Sequence, residues 1–315
     1  MRYLEEIKEN ERVIEHYLCR QKQSLKTKTG KTYYSLKLQD KTATVDAKVW
    51  ELHSDIGDFE ELDIIKIDGV ALLYQNVLQI KINRIRKSIE GEYEPDEFIP
   101  STDKDIEVLY GQLLDYIDSV TNPHMKQLLE HIILDHEVIS TAIKSHSAAK
   151  YMHHSYLGGL LEHTVAVVDI CEFMSKQYPF VDRDFLITAA VLHDIAKIFE
   201  LTPMPSNIYT DDGQMLGHIY LGAELISQEA AKIPEFPSKL QSLLKHAILA
   251  HHGEYEFGSP KLPATTEAFI LHCADNMDAK VKTYQETLAN EATSGPWTGF
   301  NKMLGRYLRK SGYGD

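Results

Sequence analysis

Between residues 12 and 87, apolar and polar positions alternate with a period of two, the mark of half-buried strands. Five such runs stand out: Val13–Leu25, Tyr33–Leu38, Ala43–Trp50, Ile64–Tyr74 and Val77–Arg86. Turns are predicted at Thr27-Lys28-Thr29-Gly30-Lys31, at Asp40-Lys41 and at Gln75-Asn76, and a polar connector from Glu51 to Asp63 is expected to be helical. Residues 88–102 are acidic, carry Pro95 and Pro100, and show no apolar period, which reads as a linker. Beyond them the period changes. Ser101 or Thr102 is expected to cap a helix with Asp103 and Asp105 in its first turn and Ile106, Leu109, Leu113, Leu114 and Ile117 on one face. Pro123 suits the first turn of the next. Further amphipathic helices are predicted over Gly159–Tyr178, Asp184–Leu201, His218–Ile233, Lys239–His251 and Ala264–Leu288.

Five short strands with a longer connector between the third and fourth fit a Greek-key barrel of the OB type. The expected organisation is therefore multidomain α and β. Residues 1–90 form an OB-type five-stranded nucleic-acid-binding barrel, 91–102 an acidic linker, 103–289 an all-α helical bundle and 290–315 a C-terminal tail.

Charge sharpens that division. The net charge of -14 over 315 residues argues against a polyanion-binding protein if read as one number. It is unevenly spread: residues 1–90 hold 16 Lys plus Arg against 15 Asp plus Glu, and residues 91–315 hold 17 against 32. From Arg20 to Lys48 there are eight cations and only two acids, Asp40 and Asp46. Lys26, Lys28 and Lys31 interleave there with Tyr33, Tyr34 and Trp50, as cations that track a phosphate backbone interleave with rings that stack on bases. These six are the candidate strand-binding residues. A strand edge solvated against aggregation, with Trp50 plugging the barrel, is the competing reading.

Cys19, Cys171 and Cys273 are odd in number and far apart, which excludes a disulfide framework and a thiolate zinc module. Neither a signal peptide nor an apolar run of membrane-spanning length is apparent, so a cytoplasmic protein without a membrane partner is expected.

Histidine carries the chemistry. Of 15 in the chain, His153, His154, His163, His193, His218, His246, His251 and His252 fall within one hundred-residue stretch. With Asp194 and Asp275 they supply the imidazoles and carboxylates that hold a hydrolytic divalent ion, and an adjacent His193-Asp194 pair can serve two ions. Lys197, four residues after His193, is expected on the same helical face, where a cation suits a phosphate oxygen. His246 and His272 read as structural.

The order His163, His193-Asp194, Lys197, His218, His251-His252, Asp275 resembles the HD-domain metal-dependent phosphohydrolases. The carrying segments are Gly-Gly-Leu-Leu-Glu-His-Thr ending at Thr164, Val-Leu-His-Asp-Ile-Ala-Lys ending at Lys197 and Ala-Asp-Asn-Met-Asp-Ala-Lys ending at Lys280. With a preceding barrel, nearly the whole chain is similar to the YhaM-type 3′-to-5′ exoribonucleases of bacteria. That resemblance implies one ion on His163, His193, Asp194 and Asp275, and a second on Asp194, His218 and His251, His252 or both. It further implies Asp194 and Lys197 as catalytic and single-stranded RNA as substrate; His153 and His154, close before His163, either contact the substrate or merely flank the cleft, and the stacking face would accept single-stranded DNA too, since nothing in it reads a 2′-hydroxyl. A homo-oligomer is an open possibility. Imidazole-rich ligation favours manganese, with cobalt, iron or nickel as substitutes. Open alternatives are another HD activity, on cyclic dinucleotides or nucleotides, and a non-catalytic nucleic-acid-binding protein.

Overall fold

In the computed structural model the strands form at Arg12–Lys26 (β1), Thr32–Gln39 (β2), Thr44–Val49 (β3), Ile64–Tyr74 (β4) and Val77–Lys87 (β5). The structure describes residues 1–75, 77–94, 97–150, 154–289, 295–302 and 304–310; Asn76, Pro95, Asp96 and the candidate substrate contact His153 lie outside them. The chain divides into two compact units, Met1–Ser101 with Met204–Ser206, and Thr102–Pro203 with Asn207–Asp315.

The strands close into a barrel in the order β1-β2-β3-β5-β4, antiparallel except where β3 meets β5. β1 is long enough to serve two neighbours: Arg12–Leu18 pairs with β4 and Leu18–Lys26 with β2, and the register shift between Cys19 and Gln21 bends it round the barrel. The positions that alternation marks as inward, among them Tyr17, Leu36, Leu38, Ala47, Ile65, Ile67 and Ile80, fill the core. Each large apolar side chain so buried stabilises by about 1.5–3 kcal/mol.

Two expectations fail in this unit. The connector between β3 and β4 forms no helix. Ile56 bridges to Ile85 instead and Phe59 is buried in the barrel core, while Gly57 and the aspartates around it disfavour helix. The acidic segment after β5 is packed rather than a free tether. Ser88 Oγ lies 2.7 Å from His16 Nδ1, Glu97 accepts from the Tyr3 hydroxyl and Lys41, and Phe98 is buried edge-on to Tyr93.

The second unit is helical: Ile106–Ser119 (α1), Pro123–Leu129 (α2), Glu137–Ala142 (α3), Gly159–Gln177 (α4), Arg183–Leu192 (α5), Lys197–Glu200 (α6), Asp211–Ala230 (α7), Ser238–Ala250 (α8) and Thr266–Ala289 (α9). Among the described residues no helix is long and apolar enough to cross a membrane. Asp105, rather than Ser101 or Thr102, caps α1 by accepting from the Glu107 and Val108 amides. Thr102 instead donates its hydroxyl to Glu162. The single helix expected over Asp184–Leu201 is broken at His193–Ala196, so Lys197 opens a new short helix. Helix α7 begins before His218, capped by Thr210, and kinks at Gly217.

The stretch expected to be a variable tail is folded where described. Trp297 bridges Arg309, Asn301 bridges Arg306, Leu308 is buried, and Asn301 Nδ2 donates to Thr287 Oγ1 on α9.

Candidate metal centre and nucleic-acid face

Local breaks in helices deliver the cluster. His163 projects from the first turns of α4, His193 and Asp194 follow the end of α5, His251 and His252 follow the end of α8, and Asp275 lies within α9. His218 follows Gly217, whose φ of +73° kinks α7 and suits a residue without a Cβ. After His252 the chain turns away at Gly253 (φ +79°), where a Cβ would sit 2.1 Å from the His272 ring.

All five imidazoles share one hydrogen-bonding pattern. Their Nδ1 atoms lie 2.7 Å from Asp278 Oδ2 for His163, 2.7 Å from the Ala190 carbonyl for His193 and 2.9 Å from Glu200 Oε1 for His218. For His251 and His252 the partners are the carbonyls of Ile248, at 2.7 Å, and Phe257, at 2.8 Å. Each partner only accepts, so each ring donates from Nδ1 and leaves its Nε2 as a lone pair.

Four of those lone pairs converge on Asp194. Its Oδ2 lies 3.4 Å from His163 Nε2 and 3.5 Å from His193 Nε2, and its Oδ1 3.3 Å from His218 Nε2 and 3.6 Å from His251 Nε2. Asp275 Oδ1 is 3.2 Å from His163 Nε2. Two ligand sets result, His163–His193–Asp275 and His218–His251–His252, each with ligand atoms within 4.8 Å of one another, on either side of one carboxylate.

This centre fits a cation. His163 and His193 face each other with Nε2 atoms 3.2 Å apart, two lone pairs that repel unless positive charge lies between them. Asp194 Oδ1, His218 Nε2 and His251 Nε2 are buried without a hydrogen-bond partner. Burial disfavours charge on every group, yet Lys197 and His193 hold Asp194 well below the usual carboxylate range. Against the same burial, Asp194, Asp275 and Asp278 raise His163 well above the usual imidazole value. Such carboxylates call for positive charge at Nε2, whether from a proton or a metal ion. Burial takes His193 down to about 4 and, with His251 and His218 beside it, His252 down to about 3, the neutral form that ligates.

His154, His163 and Asp278 form a third grouping, but Asp278 Oδ2 accepts from His163 Nδ1 at 2.7 Å and lies 3.0 Å from His154 Nε2, hydrogen-bond distances. This corrects the expectation that His154 meets substrate, because its ring is only 1% exposed and wedged between Asp278 and Tyr156. His246 Nε2 accepts the Ala264 amide and His272 Nδ1 lies 3.0 Å from the His251 carbonyl.

Lys197 reaches Asp194 Oδ2 at 2.6 Å from the start of α6, not from a continuous face with His193. It lines a cavity of about 460 Å³ with His163, His252, Asp275, Phe257 and Lys280, and Leu304 also walls it. Sequence reasoning did not single out Asp278, Glu200, Phe257 or Leu304. The spacing of Asp278 one helical turn after Asp275 was the available signal.

On the barrel, Tyr33 stacks on Trp50 with ring centroids 4.7 Å apart and planes at 24°. Trp50 is 42% exposed and so does not plug the barrel. Lys26, Lys28 and Lys31 are exposed around the β1–β2 turn. Tyr34 is removed from the face by strand parity: it points inward with Leu36 and Leu38, edge-on to Phe59, with Lys22 over its ring. Leu73, Tyr74 and Val77 add exposed apolar surface at the β4–β5 tip.

The sequence model of the HD domain family matches residues 160–280. Among solved structures the chain is similar to the second OB-fold domain of replication protein A from Methanococcus maripaludis, at 21% identity over 30% of this chain and 98% of that one, with a TM-score of 0.24. It is also similar to a replication protein A heterotrimer bound to ssDNA, at 15% identity over 28% and 64%, TM-score 0.22. A third likeness is to an aspartyl tRNA synthetase from Entamoeba histolytica, at 12% over 75% and 55%, TM-score 0.22. A five-stranded closed barrel is thus followed by a helical HD domain. The HD domain indicates a metal-dependent phosphohydrolase.

Proposed function

We propose that this protein is a metal-dependent phosphodiesterase that shortens single-stranded RNA from its 3′ end, the barrel holding the strand and the helical unit cutting it. The carrying observation is Asp194, a buried carboxylate whose two oxygens face two separate ligand sets. His163, His193, Asp275 and Asp194 Oδ2 would hold one divalent ion, and His218, His251, His252 and Asp194 Oδ1 the other. Such ions polarise a phosphoryl oxygen and lower the pKa of water so that it attacks at neutral pH. Manganese is the expected metal, with cobalt, iron or nickel as substitutes, because the ligands are mostly imidazole.

The remaining roles belong to this chain's own side chains. Asp278 and Glu200 orient His163 and His218 through their Nδ1 atoms. Lys197 spends one donor on Asp194 and has two more for the oxygens of a scissile phosphate in the cavity it lines. Strand capture is supported by the lysine-flanked Tyr33–Trp50 stack, a platform indifferent to the sugar, so single-stranded DNA is accepted too. The 3′ polarity and the RNA preference rest on the resemblance to the YhaM-type enzymes.

The test is incubation with 5′-labelled RNA bearing free or blocked 3′ ends, with and without Mn²⁺, beside cyclic dinucleotides and nucleoside triphosphates. A ladder that needs metal and a free 3′ end supports the proposal. Intact RNA beside a hydrolysed cyclic dinucleotide or triphosphate overturns it.

A further inference from the structure

The segment at residues 295–310 has a composition foreign to the rest of its unit. Residues 102–315 carry 28 acids against 17 cations, yet 295–310 contain Lys302, Arg306, Arg309 and Lys310 and no acid. Three of its rings are turned outward: Trp297 is 54% exposed, Phe300 53% and Tyr307 59%. Here Leu308 does the anchoring, buried to 3%, while Thr298 N–H donates to the Leu308 carbonyl and Lys310 N–H to the Pro296 carbonyl. Phe300 and Tyr307 stand edge to face with centroids 5.2 Å apart, and Arg306 and Arg309 are exposed beside them in sequence.

Its position gives the surface a purpose. Asn301 ties the segment to Thr287 on α9, and Leu304 forms part of the wall of the cavity that His163, Lys197 and Asp275 also line. The exposed rings and cations are therefore carried on the same short fold that borders the reacting centre.

We propose that residues 295–302 and 304–310 form a second single-strand nucleic-acid-binding surface, at the mouth of the cavity that the candidate ligands line, with Arg306 and Arg309 on phosphates and Phe300 and Tyr307 stacking on bases. Interleaved cations and rings are the composition that grips a single strand without reading its sequence. On a unit of opposite overall charge, a basic patch placed beside a phosphodiester-cutting centre offsets the repulsion an incoming strand meets. The inference rests on the phosphodiesterase reading for the strand as ligand, but its test needs no cutting.

Full-length protein is titrated, in chelator and over a range of salt, against a fluorescent single-stranded oligonucleotide followed by anisotropy. For the pair R306A/R309A, affinity is expected to fall roughly tenfold at low salt and the slope of log affinity on log salt to shrink by about 1.4, the loss of two single-strand phosphate contacts. F300A/Y307A is expected to weaken binding to a similar degree, roughly tenfold, with the slope unchanged. R306K/R309K should restore the slope, which a merely structural role for the arginines would not do. Unchanged affinity and slope in both alanine pairs overturn the proposal, as does wild-type protein that prefers phosphatidylserine vesicles or an acidic peptide to the strand. Loss of the phosphodiesterase reading would show differently, as intact anisotropy with no metal-dependent shortening.

Discussion

Asp194 shows how one side chain sets the character of the centre. It is buried, bonded to Lys197 on one oxygen, and left without a hydrogen-bond partner on the other, an arrangement that is costly for a carboxylate unless a cation completes it. Replacing it with asparagine keeps the shape and removes the charge both ligand sets share. Elemental analysis of Asp194→Asn should find less than one ion per chain, and hydrolysis should fall by on the order of 10³-fold or more while strand binding persists. The orienting carboxylates act more mildly. Asp278→Asn is expected to weaken metal binding about 10–100-fold without emptying the site, read by competition with a chromophoric chelator, and Glu200→Gln should do the same through His218. The candidate ligands were legible in the sequence because their order and spacing carry a pattern. Glu200 was not, since a lone carboxylate on an amphipathic helix reads as a solvated face until the fold shows what it touches; Asp278 carried only the faint signal of its spacing from Asp275.

At the level of elements, alternation located the barrel strands because each has one face in the core, and the same parity that marks Leu36 and Leu38 as inward takes Tyr34 with them. The α5–α6 break was hidden for the opposite reason. Apolar residues continue through His193–Ala196, so periodicity runs across a place where the backbone turns to deliver two ligands. The turn after α8 is equally silent in hydropathy but testable. Gly253→Ala forces a Cβ into the His272 ring at a left-handed position, and is expected to destabilise the protein by about 1–3 kcal/mol and to lower metal loading. Urea denaturation beside metal analysis would show both. The acidic segment after β5 misled composition-based reading because Glu92 and Glu97 are paired with Arg86 and Lys41 and Phe98 is buried against Tyr93. Phe98→Ala should cost about 3–5 kcal/mol in the barrel's unfolding transition, whereas a change near zero would mean the segment is only a tether.

For the molecule as a whole, the net charge of -14 averages a nearly neutral barrel unit with a basic turn and an acidic helical unit with a basic edge. Fold class was readable from the change of period between the halves. What sits at the cavity rim was not, because its residues hold no long apolar run and, where described, are organised by isolated bridges rather than by helices or strands. Chelation should lower the melting temperature of the helical unit and leave the barrel's transition in place, as differential scanning calorimetry would resolve; an ion at about 100 times its Kd contributes about 2.7 kcal/mol. The wide spacing of the ligands along the chain gives that number a further meaning. His163, His193, Asp194, His218, His251, His252 and Asp275 come from separate helical segments and meet within a few ångströms. Bound ions would close four successive loops of chain at once, doing for a protein with three unpaired cysteines what a set of crosslinks does for a secreted one. The candidate metal centre would then also clasp its own scaffold, so that metal starvation loosens the fold as well as stopping the reaction.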